Sequence, residues 1–123
     1  MRLLIVDDSN MIRTRISRVV QNGGLKGVVL AGLAKNGREA LRLARATRPE
    51  VVTMDLTMPE MDGIECIQEM LKFDPTVNIL VVSALSDKST AIEALKLGAR
   101  GFVSKPFTDE ELQLALLDVA EAR

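Results

Sequence analysis

The chain contains no histidine, tryptophan or tyrosine and only three phenylalanines among its 123 residues. Without histidine it has no imidazole base, no imidazole metal ligand and no phosphohistidine of its own, so any histidine that its chemistry needs must come from a partner. The scarcity of aromatic rings leaves little on which nucleic-acid bases could stack. The 16 basic and 17 acidic residues also provide no basic excess for binding phosphates. We therefore expect no nucleic-acid partner.

Cysteine and long hydrophobic runs are scarce as well. The single cysteine, Cys66, cannot form an internal disulfide, which is typical of a reducing compartment, and we expect it to fill a small apolar space on a helix. The apolar stretches are too short to span a bilayer, and Asp7 and Asp8 come too early for a signal peptide. The sequence thus predicts a cytoplasmic protein without membrane insertion, organised as a single domain over residues 1–123.

Short apolar runs alternate with helical patterns along the chain. The runs predict strands at 2–6, 28–34, 51–54, 77–82 and 101–104. The first predicted helix runs from Ser9 to Gly23-Gly24, the second from Asn36-Gly37 to before Pro49, and the third from the loop 57–63 to near Phe73. The fourth runs from Ser86 or Asp87 to Gly98, and the fifth from Thr108 or Asp109 to the C-terminus. In the first helix, Met11, Ile12, Ile16, Val19 and Val20 are expected to fall on one helical face. Five βα units with right-handed crossovers give an α/β fold, a doubly wound five-stranded parallel sheet with five helices on its two faces.

Charged residues stand at the carboxyl ends of three predicted strands. Asp7 and Asp8 follow the first strand, Asp55 follows the third, and Lys105 follows the fifth. In an open α/β sheet these strand ends form the ligand crevice. Two carboxylates ~4 Å apart repel each other by about 4 kcal/mol at an effective dielectric constant of 20. A divalent cation would remove that repulsion, and ligands that are all oxygen favour Mg2+.

Four motifs occur in order at the predicted strand ends. They are Val6-Asp7-Asp8-Ser9, the segment Met-Asp-Leu-Thr-Met-Pro-Glu-Met-Asp-Gly at 54–63, Val82-Ser83-Ala84, and Ser104-Lys105-Pro106-Phe107. Through them the chain resembles response-regulator receiver domains over essentially its whole length, and its layout is closest to stand-alone, CheY-like receivers. The resemblance implies a flavodoxin-like sheet with strand order 2-1-3-4-5. It also implies two-component signalling, with chemotaxis as one such role.

The resemblance implies a role for each charged residue. Asp55 would be the phosphoacceptor, a carboxylate that attacks phosphorus to give an acyl phosphate. Mg2+ would be bound by Asp8, Asp55 and the backbone carbonyl of Thr57, with Asp7 acting through a metal-bound water. Lys105 would present its charge to the phosphoryl oxygens, and in the family the bond between it and Pro106 is cis.

The resemblance also implies a switch. Ser83 would bond the phosphoryl group once it arrives, and Phe102 would turn inward in response. The surface of the fourth helix, fifth strand and fifth helix would then bind a downstream effector protein, with Leu114 and Leu117 as a docking patch. The donor would be a sensor histidine kinase or phosphotransfer protein. Gly63, which closes the loop after Asp55, is expected to adopt a backbone angle that other residues avoid.

Several alternatives stay open. The chain could be a phosphate sink that drains a kinase without an effector, or a receiver cut from a longer DNA-binding regulator, although no linker follows the last helix. A Mg2+-dependent aspartyl-phosphate phosphohydrolase would need a second aspartate where Thr57 stands. A flavodoxin-like cofactor binder would need a glycine-rich loop after the first strand. We therefore expect a phosphoacceptor switch that assists its own phosphorylation and dephosphorylation, and no classical enzyme.

Overall fold

Strands and helices alternate strictly in the computed structural model, which describes residues 1–22, 25 and 27–121. The described strands are β1 (Arg2–Val6), β2 (Val29–Ala34), β3 (Val51–Met54), β4 (Asn78–Ala84) and β5 (Gly101–Lys105). The described α-helices are α1 (Asn10–Asn22), α2 (Gly37–Thr47), α3 (Gly63–Phe73), α4 (Lys88–Leu97) and α5 (Asp109–Glu121). One 3-10 turn, Leu85–Asp87, leads into α4. The predicted α/β class and the βα repeat are confirmed.

The five strands form one parallel sheet in the order β2-β1-β3-β4-β5. This is the flavodoxin-like order that the resemblance implied. β2 is an edge strand on one side of β1, and β3 pairs with the other side of β1. β1 and β3 are therefore neighbours within the sheet. In an open sheet the point where the strand order reverses is where a crevice forms at the carboxyl ends.

Alternate residues of each central strand enter two separate cores, since successive side chains point to opposite faces. Helices α2, α3 and α4 cover one face, where the buried residues include Leu4, Val6, Val52, Met54, Ile67, Met70, Ile79, Val81 and Ala94. Helices α1 and α5 cover the other, where they include Leu3, Ile5, Ile16, Val51, Leu80, Val103, Leu112 and Leu116. Fully burying such side chains stabilises the fold by roughly 1.5–3 kcal/mol each. The two edge strands are less covered, and Val29 and Leu33 of β2 are exposed.

Side chains cap the first turns of α1 and α5, but not that of α4. Ser9 Oγ accepts a hydrogen bond from Ile12 N–H at 3.3 Å. Thr108 Oγ1 accepts from Glu111 N–H at 3.1 Å, and Glu111 Oε1 accepts from Thr108 N–H at 2.9 Å, which is a reciprocal capping box. Asp87 precedes α4 but makes no side-chain cap bond. Its carboxylate has a different partner, described below.

Met11 is 78% exposed, so its assignment to the same helical face as the buried Ile16, Val19 and Val20 was wrong. At 100° per residue it lies about 140° around the helix from Ile16, outside the stripe of buried residues. The predicted stop at Gly23-Gly24 lies outside the described residues.

Strands β4 and β5 are each longer than predicted. Their ladder continues through the pairs Ser83–Ser104 and Ala84–Lys105. Polar side chains end an apolar run in the sequence, but backbone N–H and C=O groups go on pairing where the sheet offers partners. Ser83 therefore lies within the sheet. Within the described part of the chain, no helix is long and apolar enough to cross a bilayer.

Candidate functional site

The pairing of β1 with β3 brings the predicted carboxylates together. Val6 is opposite Met54, so Asp7 and Asp55 leave the sheet at the same level. The Asp55 N–H donates to Val6 O at 3.0 Å, and the side chains of Asp7 and Asp55 are buried, whereas that of Asp8 is exposed. One carboxylate oxygen from each of the three aspartates lies within 4.8 Å of the others. The structure therefore forms one acidic cluster from two strand ends.

Lys105 reaches this cluster from β5, which lies two strands away from β3. Its Nζ lies 2.8 Å from Asp7 Oδ2 and 3.4 Å from Asp55 Oδ1. Burial works to lower the pKa of the ammonium, but the contacts with Asp7 and Asp55 outweigh it, and the net pKa is raised above its usual 10.5. Lys105 thus stays charged at neutral pH. The Lys105–Pro106 bond is cis, as the resemblance implied.

Asp55 has an unusual proton affinity for a carboxylate. Its pKa is raised from 3.8 to about 7, first because it is buried and second because Asp7 is negatively charged beside it. Lys105 and the backbone N–H of Thr57 act in the opposite direction but are weaker. Without a bound cation, Asp55 is therefore partly protonated near neutral pH. A protonated carboxylic acid is a poor nucleophile, and an added positive charge nearby would favour the ionised carboxylate.

The donor set suits a hard divalent cation. Asp7 Oδ2 is fully buried, and the Lys105 ammonium is its partner at 2.8 Å. Asp7 Oδ1 accepts from Ser9 N–H at 2.9 Å, which fixes the orientation of the carboxylate. Asp8 stands exposed at the opening of the crevice. Three carboxylates without a sulphur or nitrogen ligand are typical of Mg2+ or Ca2+ sites.

Gly63 is required beside Asp55 for a reason that the sequence interpretation missed. The structure gives it no positive φ, so the expectation of an unusual backbone angle was wrong. Instead, a Cβ atom at this position would lie 2.4 Å from Asp55 O and 2.6 Å from Leu56 Cα. The Gly63 N–H donates to Leu56 O at 2.9 Å and holds the two backbones in close approach. The start of α3 is thereby packed directly on the backbone of Asp55.

Ser83 and Thr57 share a partner that the sequence interpretation considered only as a helix cap. Ser83 is fully buried, and its Oγ donates to Asp87 Oδ2 at 2.8 Å. Thr57 Oγ1 donates to the same oxygen at 3.2 Å. Asp87 thus connects the loop after β3 with the turn after β4. The available sequence signal was a carboxylate four residues after a strand-end serine, which also fits an ordinary cap.

Phe102 lies on β5 and is half-buried, packed against the core beneath α2, α3 and α4. Leu114 and Leu117 are 64% and 44% exposed on α5, as their helical phase predicted. Cys66 is buried on α3, as expected for a filler residue.

Comparison with known proteins agrees with this geometry. The sequence model of the response regulator receiver domain matches residues 3–117. The chain is 42% identical over 120 residues to the chemotaxis protein CheY of Thermotoga maritima, covering 98% of each. Its structure is similar to the REC domain of AraT from Geobacillus stearothermophilus, with a TM-score of 0.90, 29% identity and coverage of 98% and 93%. It is also similar to a chain of the CheX-CheY-BeF3-Mg2+ complex from Borrelia burgdorferi, with a TM-score of 0.88, 28% identity and coverage of 97% and 88%.

Proposed function

The chain belongs to the response regulator receiver family, and on that premise we propose that it is a phosphorylation switch whose acceptor is Asp55. The observation that carries the proposal is the buried Asp55 carboxylate, with Lys105 Nζ 3.4 Å away and the oxygens of Asp7 and Asp8 close by. Positive charge brought to this acid, whose pKa is about 7, would increase the fraction that is ionised and therefore nucleophilic. Binding of a cation would thus prepare Asp55 to accept the phosphoryl group.

Mg2+ is the proposed cofactor, held by Asp8, Asp55 and the backbone carbonyl of Thr57, with Asp7 acting through a water. The fit rests on the all-oxygen donor set, in which one carboxylate oxygen from each of Asp7, Asp8 and Asp55 lies within 4.8 Å of the others. When bound, Mg2+ would offset the charges of the carboxylates and of the incoming phosphoryl oxygens.

The chain's own residues perform the transfer. An Asp55 carboxylate oxygen forms a bond to phosphorus while the bond from phosphorus to the donor's imidazole nitrogen breaks, and the imidazole leaves with the electron pair. Lys105 stabilises the charge that develops on the phosphoryl oxygens, and the sheet fixes its position relative to Asp55. Because the chain has no histidine, the phosphohistidine belongs to a sensor kinase or phosphotransfer protein.

An effector that binds α4, β5 and α5 is the proposed output. Large apolar side chains are exposed on the two helices: Ile92, Leu95, Leu114 and Leu117. They favour a binding switch over a phosphate sink, which needs no such surface. Ser83 and Phe102 are the residues we assign to the change of state. The name of the Thermotoga relative supports chemotaxis as the signalling context.

Intact mass after incubation with acetyl phosphate and Mg2+ tests the proposal. We expect a single phosphoryl adduct on the wild type, and none on Asp55→Asn or in EDTA. Asp118→Asn, which alters an exposed carboxylate on α5, is the matched control and should be phosphorylated like the wild type. An adduct on Asp55→Asn would refute Asp55 as the acceptor. An adduct that forms equally in EDTA would refute the requirement for a metal ion.

A further inference from the structure

Asp87 lies at a junction that the proposed chemistry must open. Its Oδ2 accepts hydrogen bonds from Ser83 Oγ at 2.8 Å and from Thr57 Oγ1 at 3.2 Å. Ser83 is fully buried, Asp87 is half-buried, and Thr57 is exposed at the loop after β3. A single carboxylate oxygen therefore holds both loops that border the acidic cluster. Hydrogen bonds to a charged acceptor are the stronger kind.

The Ser83 hydroxyl cannot serve two acceptors. A serine hydroxyl has one proton and so donates one hydrogen bond at a time. In this structure that proton is directed to Asp87. A phosphoryl group on Asp55 offers only acceptor oxygens, so Ser83 can bond it only after leaving Asp87. The two bonds are mutually exclusive.

Charge acts in the same direction. A phosphoryl group adds a charge of about −1.5 to −2 at neutral pH. Asp87, tied to Ser83 and Thr57, would be held on the same side of the crevice as this new anion. Repulsion then opposes the bonds that the carboxylate makes in the unphosphorylated protein, and α4 begins directly after Asp87. Release of Asp87 would therefore also free the start of α4.

We propose that Asp87 is a positioning residue that restrains Ser83 and Thr57 until Asp55 is phosphorylated, an inference that rests on the proposed function. Asp87 makes the unphosphorylated state more stable, and the phosphoryl group has to displace it. Its bonds thereby set how far the switch moves at a given level of phosphorylation. Removing them should make the phosphorylated form easier to reach.

Calorimetric titration with beryllofluoride and Mg2+, the groups present in the Borrelia complex, measures this restraint. We expect Asp87→Ala to bind beryllofluoride about tenfold more tightly than the wild type, the size of one hydrogen bond to a charged group. Asp87→Asn, which keeps an acceptor oxygen but no charge, should gain about threefold. Glu93→Gln removes an exposed carboxylate from the same helix and should bind like the wild type.

A double-mutant cycle separates restraint of Ser83 from a general effect of charge. In a Ser83→Ala background, Asp87→Ala should gain less than about twofold, because the hydroxyl that it restrained is gone. Equal affinity of Asp87→Ala and the wild type would overturn the restraint, and so would a full tenfold gain in the Ser83→Ala background. Thermal unfolding checks that each variant folds. If Asp87→Ala does not fold, the comparison is made with the isosteric Asp87→Asn.

The same titration distinguishes the two proposals. If the wild type binds beryllofluoride and Asp55→Asn does not, but Asp87→Ala matches the wild type, only the role of Asp87 is refuted. If the wild type does not bind beryllofluoride with Mg2+, the proposed function and the role of Asp87 are both refuted.

Discussion

Replacing Asp55 by asparagine should stabilise the metal-free protein, and the gain should grow with pH. Folding raises the pKa of Asp55 from 3.8 to about 7. Between these two values the folded state binds more protons than the unfolded state, so the free energy of unfolding falls as pH rises through this window. The favourable contribution is fully present below about pH 4 and is lost once pH exceeds about 7. Asparagine cannot ionise, so the stability of Asp55→Asn does not fall in this way as pH rises.

The magnitude follows from the difference between the two pKa values. The two pKa values differ by about 3, and a difference of one in pKa corresponds to roughly 1.4 kcal/mol. The ionised Asp55 therefore destabilises the folded state by up to about 4 kcal/mol above pH 7. At pH 5 the cost is already about 2 kcal/mol, because the unfolded chain is ionised there and the folded one is not. The advantage of Asp55→Asn should therefore grow by roughly 2 to 3 kcal/mol from pH 5 to pH 8.

Urea unfolding in EDTA, followed by far-ultraviolet circular dichroism, measures this difference in a chain without tryptophan or tyrosine. Glu93→Gln, which removes an exposed carboxylate, is the control and should change little with pH. The reasoning fails if the gain from Asp55→Asn is the same at pH 5 and pH 8. It also fails if the wild type is the more stable protein at pH 8 without a divalent cation.

Two further predictions concern the packing around α3. Gly63→Ala should destabilise the fold by about 1–3 kcal/mol, because its Cβ would lie 2.4 Å from Asp55 O. Urea unfolding would compare it with Gly32→Ala, whose Cβ meets the flexible end of Leu43 at 3.2 Å. Equal losses of stability in the two variants would contradict the prediction. Cys66 should resist Ellman's reagent in the native protein, since burial raises the pKa of its thiol to about 12. Rapid reaction at pH 8 without urea would contradict that expectation.

Much of the fold could be predicted because its determinants are local. Continuous apolar runs such as Val51–Met54 and helical stripes such as that of Leu112 and Leu116 are patterns within a few neighbouring residues, and both elements were placed correctly. The side chain of Thr108 caps α5 through residues within one turn of it, so its role was also visible. The error at Met11 arose because an apolar residue was assigned to the stripe although its helical phase places it outside, where it is exposed.

The features that were missed depend on atoms distant in the sequence. Gly63 was expected to serve a backbone angle, but its role is steric and is set by the approach of α3 to Asp55. Asp87 was considered as a helix cap, because the neighbours of a carboxylate cannot be read from its position in the chain. Its bond to Thr57 spans 30 residues and exists only because β3 and β4 are paired.

The sequence by itself determined the order of elements and the identity of the charged residues at the strand ends, since both follow from local patterns and from motif spacing. Only the tertiary structure decided that these charges form one site. The sheet order places β1 beside β3, which brings Asp7 next to Asp55, and it allows Lys105 to reach both from β5. The pKa of Asp55 is a consequence of that assembly, because burial and a neighbouring carboxylate act only when the chain is folded.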